Sequence, residues 1–231
     1  MPRVIKKKSK KKNVGVEADV VDRLSDIKDQ LKEKQKTVLT YGAVAAAVIV
    51  VIAGFLLYRY SEGEKARQLE YEAYKIYYNE YQTQASGREN YRKALDLFQQ
   101  AYNKKKSARV LFYIASSDAE LGSYDDALKS LGRLVKDYPA DKDILPLAYQ
   151  KMADIQLQKG NKDEALKTLD SLYKSIGTIY KDLALVESAR ILESEGKKEE
   201  ALAKYKELAE KFKDSPFMAE ATAKLAEKKE G

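Results

Sequence analysis

Cysteine and histidine are both missing from this chain of 231 residues. Without thiols no disulfide can staple it, whichever redox compartment it occupies. Together the two absences remove thiol nucleophiles, Cys/His zinc sites and any catalytic triad built on an imidazole base. Phosphate-binding glycine loops, nucleophile elbows and metal-ligand spacings do not occur either. Acid pairs such as Glu199 and Glu200 are chain neighbours at an exposed helix start, where they suit the positive end of the helix dipole. No catalytic residue, cofactor, metal or small-molecule substrate is therefore expected.

Charge is absent from one long stretch. Val38 to Tyr58 holds twenty-one consecutive uncharged residues between Lys36 and Arg59. A helix of that length measures roughly 31 Å, about the thickness of a bilayer's hydrocarbon core. No step of three or four residues gives it a polar face, so a buried helix of a globular protein fits poorly. Tyr41 near one end, with Tyr58 and Tyr60 near the other, suits the headgroup level. The chain thus divides into a tail over residues 1–37, a transmembrane signal anchor over 38–60 and a domain over 61–231.

The tail carries twelve Lys or Arg against six Asp or Glu, whereas the rest is nearly balanced at thirty-one against thirty. Short basic segments resist translocation, which predicts a cytoplasmic tail and a domain on the far side. The leading polar region and the apolar run are both too long for a cleaved signal peptide. Six lysines crowd around Ser9. They point to anionic lipid first, with RNA or a nuclear import receptor as alternatives. No aromatic residue interleaves them, so nucleic acid is not the expected partner. Further along, Val20, Leu24, Ile27 and Leu31 make one apolar stripe on a short helix that runs into the span, grips a partner or lies on the membrane. Within the span, Gly42 with Ala46 and Ala43 with Ala47 would let another helix come close.

From Ser61 onward the pattern is helical and repetitive. Leu121 to Pro139, Lys159 to Gly177 and Glu195 to Lys213 each contain a glycine, a polar turn, an acid, Ala-Leu, then apolar residues four and seven places after the Ala. The glycines Gly122, Gly160 and Gly196 recur at steps of 38 and 36. That period predicts a repeated two-helix unit. Glycine supplies a left-handed cap, the acids face the next helix's dipole, and the small Ala lets the two helices approach. Upstream, Tyr91, Ala94, Phe98 and Ala101 repeat the second-helix pattern, behind a first helix expected from about Glu64 to Gln84 with Tyr71, Tyr74, Tyr78 and Tyr81 along one face as packing. Downstream, Pro216 opens a terminal cap in which Phe217, Ala221 and Leu225 face inward.

These units resemble the tetratricopeptide repeat through Ala115, Gly122, Tyr124, Ala127 and Pro139, then Ala153, Gly160 and Ala165, then Ala189, Gly196, Ala201 and Tyr205. The fold expected is all-α, a single transmembrane helix followed by a TPR-like α-solenoid of helix pairs. Successive first helices of such a stack line a concave face. In that register the protein-binding candidates are Arg109, Phe112, Ser116 and Glu120, then Gln150, Asp154 and Gln158, then Val186, Arg190 and Glu193. Their mixed polarity suits a bound peptide or helix as well as it suits an ordinary solvated face.

The whole layout is similar to the YfgM-type ancillary subunit family of the bacterial Sec translocon. The likeness lies in Ala53 to Tyr60 at the anchor's exit, Ala153 to Leu172 and Leu183 to Tyr205. It implies a single-pass protein of the bacterial inner membrane with a periplasmic repeat domain. Its partners would be the SecYEG translocon and a periplasmic chaperone of the peptidyl-prolyl isomerase type, and its work the handover of secretory proteins. The same architecture would also serve a receptor or assembly factor with its repeats in the cytosol.

Overall fold

The computed structural model describes residues 14–80, 87–175, 177 and 180–230, and the lysine run, Tyr81 and the stretch to Gln84 fall outside them. All regular structure among the described residues is helical. The chain separates into two compact units, Met1–Tyr60 and Ser61–Gly231. Helix α1 (Val14–Tyr77) belongs to both.

In the first unit, every side chain described from Val20 to Tyr60 is exposed. This includes the whole apolar run from Val38 to Tyr58, so one helix here is long and apolar enough to cross a membrane.

The second unit is built by local turns. After α1 come α2 (Gly87–Lys104), α3 (Ala108–Glu120), α4 (Tyr124–Asp137), α5 (Leu145–Gln158), α6 (Lys162–Lys174), α7 (Lys181–Ser194), α8 (Lys198–Lys211) and α9 (Met218–Glu230). Gly122, Gly160 and Gly196 take φ of 84°, 78° and 74°, the left-handed region that glycine reaches without strain. Each closes the same double hydrogen bond. Gly122 N donates to Ala119 O at 2.9 Å and Ser123 N to Asp118 O at 2.8 Å. Gly160 and Asn161 repeat this on Leu157 and Gln156, and Gly196 and Lys197 on Glu193 and Leu192. This is the Schellman arrangement, which satisfies helix carbonyls left open at the end of the first helix. The helices that follow have no side-chain N-cap, but each has two acids in its first turn and a lysine in its last, as the dipole favours.

The residues spaced from each alanine then meet inside. Ala127, Leu131 and Leu134 are fully buried, as are Ala165, Leu169 and Leu172, and Ala201, Tyr205 and Leu208. Each pair packs on the next, α4 on α5, α6 on α7 and α8 on α9. In α2, Ala94, Phe98 and Ala101 hold the same interior positions, with Ala73 of α1 in the same cluster. The last helix seats Ala221 fully in the core, with Phe217 and Leu225 beside it.

One boundary differs from the sequence pattern. The helix expected to reach Gln84 stops at Tyr77, where residues 78–80 turn and Asn79 adopts a left-handed φ of 52°. Asparagine tolerates that region because its side chain can bond locally, and Asn79 Oδ1 accepts from Asn90 Nδ2 at 3.2 Å. Tyr180, at the start of α7, also takes a left-handed φ, of 62°.

Glycine's role can be separated from its size. An added Cβ at Gly160 or at Gly132, within α4, would meet nothing within 4 Å. Gly160→Ala should therefore lower unfolding stability by about 1–2 kcal/mol through the left-handed backbone alone. Gly132→Ala should raise it by about 0.5–1 kcal/mol through helix propensity. Urea titration of the two variants reads the opposite signs.

Candidate functional site

The first helices bring together two hollows. One, of about 330 Å³, is lined by Arg67, Glu70, Tyr71 and Tyr74 of α1 with Arg109 and Tyr113 of α3. Arg109 Nε donates to Glu70 Oε1 at 2.6 Å, so its charge is already met inside the unit. Tyr74 and Tyr113 form an aromatic patch with Tyr77 and Tyr78. Tyr74 lies 4.6 Å from Tyr78 and edge-on to Tyr113 at 5.7 Å, and Tyr113 stacks on the buried Phe98 at 5.1 Å. Tyr71 is 63% exposed and Tyr78 53%, so this stripe presents rings to solvent, whereas Tyr77 between them is the half-buried one. Spacing alone marks the stripe; the neighbouring Tyr113 and the two arginines turn it into a surface.

The second hollow, of about 420 Å³, lies between the end of α3, the start of α4 and α5. It gathers Glu120, Asp154 and Gln158 from the predicted row around Lys151 and Tyr124. The surrounding protein raises the Asp154 carboxyl above its ordinary range; Lys151 works the other way and Glu187 adds to the rise. This hollow is polar, in contrast to the tyrosine-lined one.

The remaining predicted residues fall into three groups. Phe112 and Gln150 are half-buried beside these hollows, with Phe112 edge-on to Tyr113 at 5.7 Å. Ser116 and Val186 are buried, at 2% and 0% exposure, and have no surface to offer a partner. The cause is lateral packing. Ser116 lies within the buried run Ile114–Asp118 of α3, and Val186 shares a core cluster with Ala221 of α9. Arg190 and Glu193 are engaged by α9. Arg190 grips Glu220 through two bonds of 2.9 and 2.5 Å, and Lys224 pairs with Glu193 at 3.1 Å. Hydrogen bonding to Glu220 raises the Arg190 value and depresses that of Glu220. No group of His, Cys, Asp or Glu among the described residues is placed to hold a metal ion.

Asp118, in the last turn of α3, is only 8% exposed. Burial, with the nearby Asp126 charge adding to it, pushes its carboxyl from the usual 3.8 to about 6. The folded chain holds this proton more tightly than the unfolded chain does. Its contribution to stability is full below 3.8 and is lost as the pH rises through about 6. Asp118→Asn should thus be more stable than the parent by on the order of 2 kcal/mol at pH 8, with the gap closing near pH 4. Urea unfolding of both chains at the two pH values measures it.

Comparison with known proteins places this geometry among helical repeats. A family described as a tetratricopeptide repeat-like domain matches residues 31–175, more than half of the chain, and one described as a tetratricopeptide repeat matches residues 150–218. No curated protein matches in sequence. Among solved structures, the MamA protein is similar with a TM-score of 0.50 at 14% identity, over 68% of this chain and 79% of that one. The TPR2AB domain of yeast Sti1, solved in its complex with pHSP90, gives 0.44 at 18% identity over 71% and 72%. PilF of Pseudomonas aeruginosa gives 0.45 at 15% over 73% and 89%. At these identities the likeness is one of fold.

Proposed function

Because this chain belongs to the tetratricopeptide repeat-like family, a class of protein–protein interaction module that is typically non-catalytic, we propose that it is a membrane-anchored repeat protein that holds other polypeptides. In this reading α1 crosses the bilayer once, the basic tail stays in the cytoplasm and the repeats lie in the periplasm. The protein acts as an ancillary subunit of the Sec translocon, associates with a peptidyl-prolyl isomerase-type chaperone and assists the handover of secretory proteins.

One observation carries the anchoring. The uncharged run stands fully exposed on a single helix, and the family match begins at residue 31 and includes it. Eleven Val, Ile, Leu and Phe side chains lie between Val38 and Tyr58. At about −0.3 to −0.6 kcal/mol each near the bilayer centre they favour insertion, and no charged residue opposes them. The charge excess of the tail supports the orientation. For binding, the tyrosine-lined hollow offers rings to apolar side chains, and the polar one offers Glu120 and Asp154 to donors. A chain segment that carries both kinds of group suits the pair, in keeping with a client that has not yet folded.

Protease added to sealed inner-membrane vesicles of cytoplasm-out orientation should leave a fragment that contains Tyr124 and Tyr205. Digestion of both would instead place the repeats in the cytosol, as for a receptor or assembly factor. Crosslinked, detergent-solubilised complexes should contain translocon subunits, and Glu120→Lys with Asp154→Lys should reduce client adducts severalfold, on the order of two lost charge-assisted contacts. Complexes without translocon subunits would overturn the Sec assignment.

A further inference from the structure

The apolar stripe ahead of the membrane run is left uncovered. Val20, Leu24, Ile27 and Leu31 are 50–63% exposed on α1. At 3.6 residues per turn they share an arc of about 60°. Continued along the same straight helix, that arc passes through Val38, Gly42, Ala45, Ile49 and Leu56 without meeting a charge. An aqueous stripe and a small-residue stretch inside the bilayer thus lie on one face.

We propose that this face is the seat of a helix from another integral membrane protein, one that crosses beside α1 and continues into the same aqueous compartment with Asp or Glu flanking its own apolar stripe. The proposal rests on the membrane-spanning reading above. Two observations select the occupant. First, α1 runs unbroken from Val14 through the apolar run. A helix that crosses the bilayer cannot bend its leading part flat onto the surface without a break, so the lipid surface does not cover the stripe. Second, the charges are sorted around the stripe. From Val20 onward, Arg23, Lys28 and Lys34 flank it at about 60°, 80° and 40° from its first residue with no acid beside them, whereas Asp22, Asp26, Asp29 and Glu33 lie toward the reverse of the helix together with Lys32 and Lys36. A second copy packed in parallel would bring cations against cations. A partner with acids at these flanks would meet them with opposite charge.

The chain has no cysteine, so a single introduced one reports on one face. The probe is a full-length copy with Arg23→Glu, Lys28→Glu, Lys34→Glu and Leu24→Cys. It is expressed in the same membrane as the parent chain with Leu24→Cys alone, and the lysines of residues 6–12 are kept in both to preserve orientation. Oxidation should give the mixed disulfide in excess of the parent's self-disulfide by about fivefold or more, and none when the cysteine replaces Asp29 in both. In native membranes, a photoreactive residue at Ile27 should label an integral membrane protein, and Arg23→Glu with Lys28→Glu should diminish that adduct. A self-disulfide as abundant as the mixed one, no mixed disulfide, or adducts to lipid alone would each overturn the proposal. Alkaline carbonate extraction separates the two levels. A chain released by carbonate defeats the anchoring itself, whereas a retained chain without mixed disulfide defeats only this inference.

Discussion

The three helix pairs α3/α4, α5/α6 and α7/α8 each depend on a chain reversal at a left-handed position that glycine occupies without strain. With Gly122, Gly160 and Gly196 in the left-handed region, the second helix returns against the first so that its Ala-Leu-Leu or Ala-Tyr-Leu face meets the interior. Backbone groups at the turn are satisfied at the same time, because the glycine and its successor donate to carbonyls of the preceding helix. One pair cannot hide all of its apolar surface, which is why α4 leans on α5, α6 on α7 and α8 on α9. In the absence of disulfides, stability of the second unit rests on this packing and on polar contacts between neighbouring pairs. Tyr173 Oη donates to Glu207 at 2.6 Å, Lys162 Nζ to Ser194 Oγ at 2.8 Å, and Lys159 pairs with Asp125.

Features set by a few consecutive residues were legible in the sequence. The three glycines, the buried triads after each alanine and the inward Ala221 all follow from period and residue size. Features set by a neighbour in space were not. Arg190 and Glu193 look like lining residues until α9 supplies Glu220 and Lys224. Ser116 and Val186 share a helix face with exposed residues, yet adjacent helices close over them. The tyrosine stripe shows the limit from the other direction. Spacing says that Tyr71, Tyr74 and Tyr78 lie together, but only the position of α3 decides that their rings remain accessible.

The two units solve opposite solvation problems with the same element. From Ser61 onward apolar side chains turn inward and charged ones cover the outside, while around Val38 to Tyr58 apolar side chains face outward on all sides. The first arrangement suits water and the second a hydrocarbon environment. Buried polar groups such as Asp118 are the exceptions in the second unit, and they leave a pH dependence behind.

Three apolar clusters fill the repeat stack, and they meet through few side chains. Tyr149 belongs to the margin of the first and third, and Leu166 and Tyr173 to the margins of the third and second. All three are only half-buried. Rings and leucines at such seams can slide over one another with little loss of contact, whereas Leu131 or Leu169 inside a cluster cannot move without opening a void. A change in the curvature of the stack would therefore cost least at these two seams, where each cluster could keep its internal fit.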